Sequence, residues 1–106
     1  MPQSIIEIRQ IPLYTKWFEK QTKEIRENIA NYIDKIKKGD TSHCENKRGG
    51  ISEIKIDFGQ GVRVYYIVKN PAFFVLVWGG ADKKRQTADI EKAVKIRNFM
   101  AANKQI

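Results

Sequence analysis

Arg63, Lys83, Glu53 and Tyr65 are the residues whose types and spacing suit a chemical task. Arg63 sits in the run Val62-Arg63-Val64-Tyr65, and Lys83 belongs to Asp82-Lys83-Lys84-Arg85 directly after Gly79-Gly80. A planar guanidinium binds two phosphate oxygens at once, and an ammonium serves as a point charge or as an acid. Glu53 and Tyr65 are groups that can carry protons. Cleavage of a phosphodiester by its neighbouring 2′-hydroxyl needs proton removal, charge neutralisation at phosphorus and protonation of the leaving oxygen. The set matches those needs. The competing interpretation is a solvated sheet face with cross-strand ion pairs such as Asp57–Arg63.

The hydrophobic pattern must place these residues together. A three-residue loop, Gly59 to Gly61, pairs Phe58 with Val62, Asp57 with Arg63 and Lys55 with Tyr65. Ile54, Ile56, Phe58, Val62, Val64 and Tyr66 then share a core face, and Glu53, Lys55, Asp57, Arg63 and Tyr65 share the other. A slip of one residue inverts every side chain, so the pattern selects between the faces. In a meander, the end of the third strand lies beside the start of the second. Arg63 and the Lys83 cluster are thereby expected to converge on one polyanion.

The remaining elements follow from periodicity. Ser4–Ile11 reads as an extended segment with Ile6 and Ile8 alternating against Glu7 and Arg9. Pro12 opens a short helix carrying Leu13, Trp17 and Phe18. Thr22 caps a helix running to Lys38, in which Ile25, Ile29, Tyr32, Ile33 and Ile36 form one apolar stripe and Gly39 provides the stop. These two helices are expected to form an antiparallel hairpin. Asp40–Gly50 reads as a mobile polar loop. Strands are expected at Ile51–Phe58, Val62–Val68 and Ala72–Trp78, the last apolar on both faces and therefore central. A basic helix from about Gln86 to Ala102 closes the chain. The order is β-α-α-β-β-β-α, an α+β domain spanning residues 1–106.

Composition bounds the partners. Twenty Lys and Arg against twelve Asp and Glu give a net charge of +8, which favours a polyanion or an acidic protein. One cysteine, Cys44, and one histidine, His43, leave neither an internal disulfide nor a His-rich metal site, and no metal or small-molecule cofactor is expected. His43-Cys44 lacks a third group and is not a nucleophile pair. Trp17, Phe18, Phe73 and Phe74 read as core. No apolar run reaches the length of a membrane span, and a cytoplasmic setting is expected.

The stretch from Gly50 to Ala93 resembles the HigB-like addiction module killer group of the RelE/ParE toxin superfamily. That group shows G-x-S-E-L-R-I, G-x-G-Y-R-V-Y-F and G-G-D-K-x-x-Q-x-x-D-I segments in succession. Glu53, Lys55, Gly59, Gly61, Arg63, Val64, Tyr65, Gly79, Gly80, Asp82, Lys83, Gln86, Asp89 and Ile90 fall on this pattern. Val62 stands where an aromatic is usual, Lys55 replaces arginine, and Ala81 is an insertion, so the lysine of the pattern falls on Lys83 or Lys84. The resemblance implies two antiparallel helices on a curved antiparallel sheet, and a toxin that cuts mRNA on the ribosome without a metal. Arg63 and Lys83 would then be catalytic, with Glu53 and Tyr65 as proton carriers. Lys55, Lys84, Arg85, Lys92, Lys95 and Arg97 would hold the RNA. It also implies a helix-turn-helix antitoxin as partner. The alternative within the superfamily is a non-enzymatic toxin of the ParE type that binds DNA gyrase, or an inactive homologue.

Overall fold

The computed structural model describes residues 5–106; Ser4, the expected start of the first strand, lies outside them. The chain forms β1 (Glu7–Gln10), α1 (Pro12–Glu19), α2 (Lys23–Lys37), β2 (Cys44–Asn46), β3 (Ser52–Ile56), β4 (Val62–Asn70), β5 (Phe73–Gly80), a 3₁₀ turn (Lys83–Arg85) and α3 (Gln86–Ala102). The strands form one sheet in the order β1-β5-β4-β3-β2.

Two expectations about this architecture are corrected. Asp40–Gly50 is not simply a loop: Cys44–Asn46 pairs antiparallel with Ser52–Ile54, and the hairpin closes as Lys47 N–H donates to Ile51 O at 2.9 Å and Ile51 N–H to Arg48 O at 3.1 Å. The segment is polar because β2 is an edge strand with one side open to water. The element order therefore has one more strand than expected. The sheet is also mixed rather than wholly antiparallel, since β1 runs parallel to β5. The helical crossover α1–α2 carries the chain from one sheet edge to the other, so β1 meets β5 only at the end of the meander.

Both sheet faces are covered. Beneath α1 and α2 lie Ile54, Ile56, Val62, Val64, Tyr66, Phe74 and Leu76, meeting Tyr14, Ile29 and Ile36. Thr22 caps α2 by accepting a hydrogen bond from the Ile25 amide at 3.2 Å. The opposite face holds Ile51, Tyr65, Ile67, Val75 and Val77 under Ala93, Ile96 and Met100 of α3. β5 is internal and buried on both faces, as AFFVLVW requires.

A bulge at Val77 shapes the functional end. Tyr65 faces Trp78, whereas the next residue, Tyr66, faces Leu76. The extra residue lets Val77 and Trp78 both turn toward α3, as a bulge does. Gly79 and Gly80 follow, with no room for side chains: a Cβ on Gly79 would enter the Trp17 ring, and one on Gly80 would meet the Asp89 carboxylate.

Candidate functional site

The site is assembled at the β3–β4 turn. The expected pairing of Phe58 with Val62 is corrected by two residues: Ile56 faces Val62, Lys55 faces Arg63, and Glu53 faces Tyr65. The turn starts earlier because Phe58 N–H donates to Ile56 O at 2.9 Å and Gly61 N–H to Phe58 O at 3.2 Å. A shift of two preserves the faces, so the polar and apolar sets remain as expected while the cross-strand partners change. Asp57 does not pair with Arg63 among the described residues; the carboxylate beside Arg63 is Glu53.

Arg63 pairs across the sheet with Gly80, which brings the end of β5 to the start of β4. Gln60 then bridges to Asp82, and Lys83 N–H donates to Gln60 O at 3.0 Å. Asp82 caps the 3₁₀ turn by accepting from the Lys84 amide at 2.9 Å. Gly61 sits at φ +99°, and a Cβ there would lie 2.8 Å from Arg63 Nη1 and 3.0 Å from Lys83 Cβ. Both the backbone conformation and the close approach need glycine.

The result is a cleft of about 560 Å³ lined by Lys55, Arg63, Lys83 and Lys84, with Asp57 and Asp82 at its sides. Four cations against two carboxylates leave the cavity with an excess of positive charge, which favours anions. Arg63 is only 8% exposed. Its Nη1 donates to Gly61 O at 3.1 Å and its Nε lies 3.6 Å from Glu53 Oε2, while Nη2 makes no hydrogen bond among the described residues. The guanidinium is thus gripped from behind.

The other expected site residues lie elsewhere. Glu53, 1% exposed, is beneath α3 and does not line the cleft. Gln86 Nε2 donates to its Oε2 at 2.9 Å, and Lys47 Nζ lies 3.7 Å from Oε1. Tyr65 is fully buried, with its hydroxyl unpaired among the described residues. Burial, with the nearby Glu53 and Asp89 carboxylates, pushes its phenol far above the usual range. Arg85 and Lys95 are exposed outside the cleft. Lys92 lies 5.3 Å over the Trp78 ring, and Arg97 packs against Gly50. Lys47 and Gln86 are network members that the sequence reading did not assign; Gln86 lay on the family pattern, but nothing in the spacing tied Lys47 to Glu53. No group of three His, Cys, Asp or Glu side chains converges as a metal site would among the described residues, and no helix is long and apolar enough to cross a membrane.

The fold is similar to that of a chain in a solved toxin–antitoxin complex. A chain in the crystal structure of the intact E. coli RelBE toxin–antitoxin complex superposes with a TM-score of 0.57, covering 72% of this chain and 94% of its own length at 14% identity. No family model matches the sequence. An uncharacterized protein of Haemophilus influenzae is 32% identical over 89 residues, which is 83% of this chain and 89% of that protein. This chain belongs to the same family as the Haemophilus protein.

Proposed function

We propose that the protein is the toxin of a type II toxin–antitoxin pair, of the HigB-like group, and that it cleaves mRNA on the ribosome without a metal. The observation that carries this reading is the convergence of Lys55, Arg63, Lys83 and Lys84 on one cleft. The RelE-like fold and the nature of the superposed complex support it. In the reaction, the ribose 2′-oxygen attacks phosphorus and the bond to the 5′-oxygen breaks, leaving a cyclic phosphate. Arg63 stabilises the growing charge on the non-bridging oxygens. Lys83 or Lys84 shares that role and protonates the departing 5′-oxygen. Asp57, a lining carboxylate of the cleft that does not cap the 3₁₀ turn, receives the 2′-hydroxyl proton in this reading. Arg85, Lys92, Lys95 and Arg97 extend the basic surface for the RNA backbone, and an acidic segment of a helix-turn-helix antitoxin covers it.

One observation favours a second reading. The two groups best suited to proton transfer, Glu53 and Tyr65, are buried away from the cleft. A toxin that binds a polyanion or DNA gyrase without cleaving needs no such groups. Mapping mRNA ends after brief expression separates the two. The nuclease reading expects new 5′ ends within translated codons in minutes. Growth arrest without such ends, accompanied by loss of plasmid supercoiling, assigns the protein to the binding class.

A further inference from the structure

Glu53 joins three elements through one carboxylate. Arg63 comes from β4, Lys47 from the β2–β3 turn and Gln86 from the first residue of α3. Two of these contacts bear on the cleft. Arg63 lines it, with its Nη1 fixed to Gly61 O in the turn that floors it. Gln86 directly follows Lys83–Arg85, the turn that supplies the other cations. Lys47, 21% exposed at its side chain, offsets the buried charge from the solvent side. A buried carboxylate is costly unless it is paired and hydrogen-bonded. This one accepts a hydrogen bond from Gln86 and forms ion-pair contacts with Arg63 at 3.6 Å and Lys47 at 3.7 Å; Arg63 lines the cleft, and Gln86 directly follows the turn that supplies its other cations.

We propose that Glu53 is a positioning residue: it orients the Arg63 guanidinium from behind and, through Gln86, holds the Lys83–Arg85 turn, so that the cleft offers prearranged cations to an RNA phosphodiester. Glu53 itself touches no RNA. This rests on the reading of the cleft as the place where the phosphodiester is cut. Preorganised charge stabilises a transition state without reorganisation at the moment of reaction, and a misplacement of about 1 Å in such a group costs on the order of 10²-fold in rate.

The test uses the full-length protein in three forms: wild type, Glu53→Gln, and Glu53→Gln combined with Gln86→Glu, which returns a carboxylate to the same junction from the α3 side. Two readouts are taken. One is ribosome-dependent cleavage, as kcat and KM across pH 6–9. The other is the ¹⁵N-NMR signal of Arg63 Nε–H, which does not depend on activity. In the wild type this signal is sharp and slow to exchange. Glu53→Gln broadens it and lowers kcat by roughly 10- to 100-fold, with KM nearly constant and the shape of the pH profile retained. The double variant restores the signal and part of the rate. Loss of one limb of the pH profile with an unchanged Arg63 signal overturns the proposal in favour of a proton carrier. An unchanged signal and rate also overturn it. If Glu53→Gln does not fold, Gln86→Leu at its half-exposed position takes its place: an altered Arg63 signal with a several-fold fall in kcat supports the proposal, and unchanged values refute it. A wild type that shows the protected signal but cleaves nothing leaves the positioning of Arg63 intact and removes the nuclease reading instead.

Discussion

The two faces of the sheet are built differently. Under α1 and α2 the buried cluster is built of aliphatic and aromatic side chains, with Ser52 at its margin donating to Asn46 Oδ1. Under α3 lie the buried charged residues of the described chain, Glu53 and Arg63. The buried side-chain polar atoms without partners among the described residues are also on this side: Arg63 Nε, Tyr65 Oη and Arg97 Nε. The first face has the composition of a core that holds the chain together. The second gives up some of that stability, since desolvated charge and unpaired polar atoms are unfavourable. Local rules are broken in this way where a site needs it, and the α3 face is the one that adjoins the cleft.

The contrast can be broken by mutation on either side. The largest effect is expected under α1 and α2. Ile54 is fully buried there, and Ile54→Ala should cost about 2–5 kcal/mol. Thermal melting should fall by at least ~8 °C for a domain of this size, with cleavage per folded molecule unchanged. A selective loss of cleavage in a stable Ile54→Ala protein would show that the two faces are not separable.

Lys83→Gln and Lys84→Gln address the cleft. Both side chains are exposed, so melting should stay within the ~0.5 kcal/mol typical of surface changes. Each should weaken RNA binding and reduce the slope of log affinity against log salt by roughly 0.7, the value per phosphate contact on a single strand. The variant with the larger drop in kcat identifies the leaving-group lysine. A salt slope that moves with neither places the RNA elsewhere.

The smallest effect is expected at Asp89. Burial raises its carboxyl above the usual range, although Trp78 Nε1 donates to it at 3.3 Å. A raised acid contributes its stability at low pH, where it is protonated in both states, and loses it as pH rises through the folded value. Asp89→Asn should therefore melt slightly higher than wild type at pH 7, and the two curves should converge only below the unfolded carboxyl value of ~3.9, by about pH 3. A variant that melts lower than wild type at pH 7 would mean that the charge is favourable, through Arg85.

Much of the frame was legible because period and burial are local properties. The apolar stripe of α2, the doubly buried β5 and the two faces of β3 and β4 follow from residue alternation alone. The shift in the β3–β4 pairing was not legible, because a slip of two leaves that alternation unchanged and only turn hydrogen bonds decide it. β2 was missed because a three-residue edge strand, Cys44–Asn46, has no hydrophobic signature. The burial of Glu53 and Tyr65 was missed for a related reason. Their strand face looks polar in sequence, yet α3 lies across it, and α3 itself reads as only weakly amphipathic. Lys55, Arg63, Lys83 and Lys84 were nameable beforehand, but the cleft that unites them depends on the Gln60–Asp82 bridge between distant turns.

Arg63 is where the two kinds of structure meet, and two substitutions there give the most direct test. Arg63→Ala leaves Glu53 with only Lys47 and Gln86. It should cost roughly 2–3 kcal/mol, less than the ~3–5 kcal/mol of a buried pair left wholly unmatched. Arg63→Lys keeps a cation beside Glu53 and should fold nearly as well as wild type, but an ammonium cannot reproduce the planar fork. The decisive measurement is ribosome-dependent cleavage by Arg63→Lys, taken on a sample whose melting curve is recorded in parallel. A folded protein that has lost about 10²–10³ in rate is the expected result. A folded Arg63→Lys that cleaves at the wild-type rate would contradict the assignment of Arg63 as the group that stabilises the phosphate.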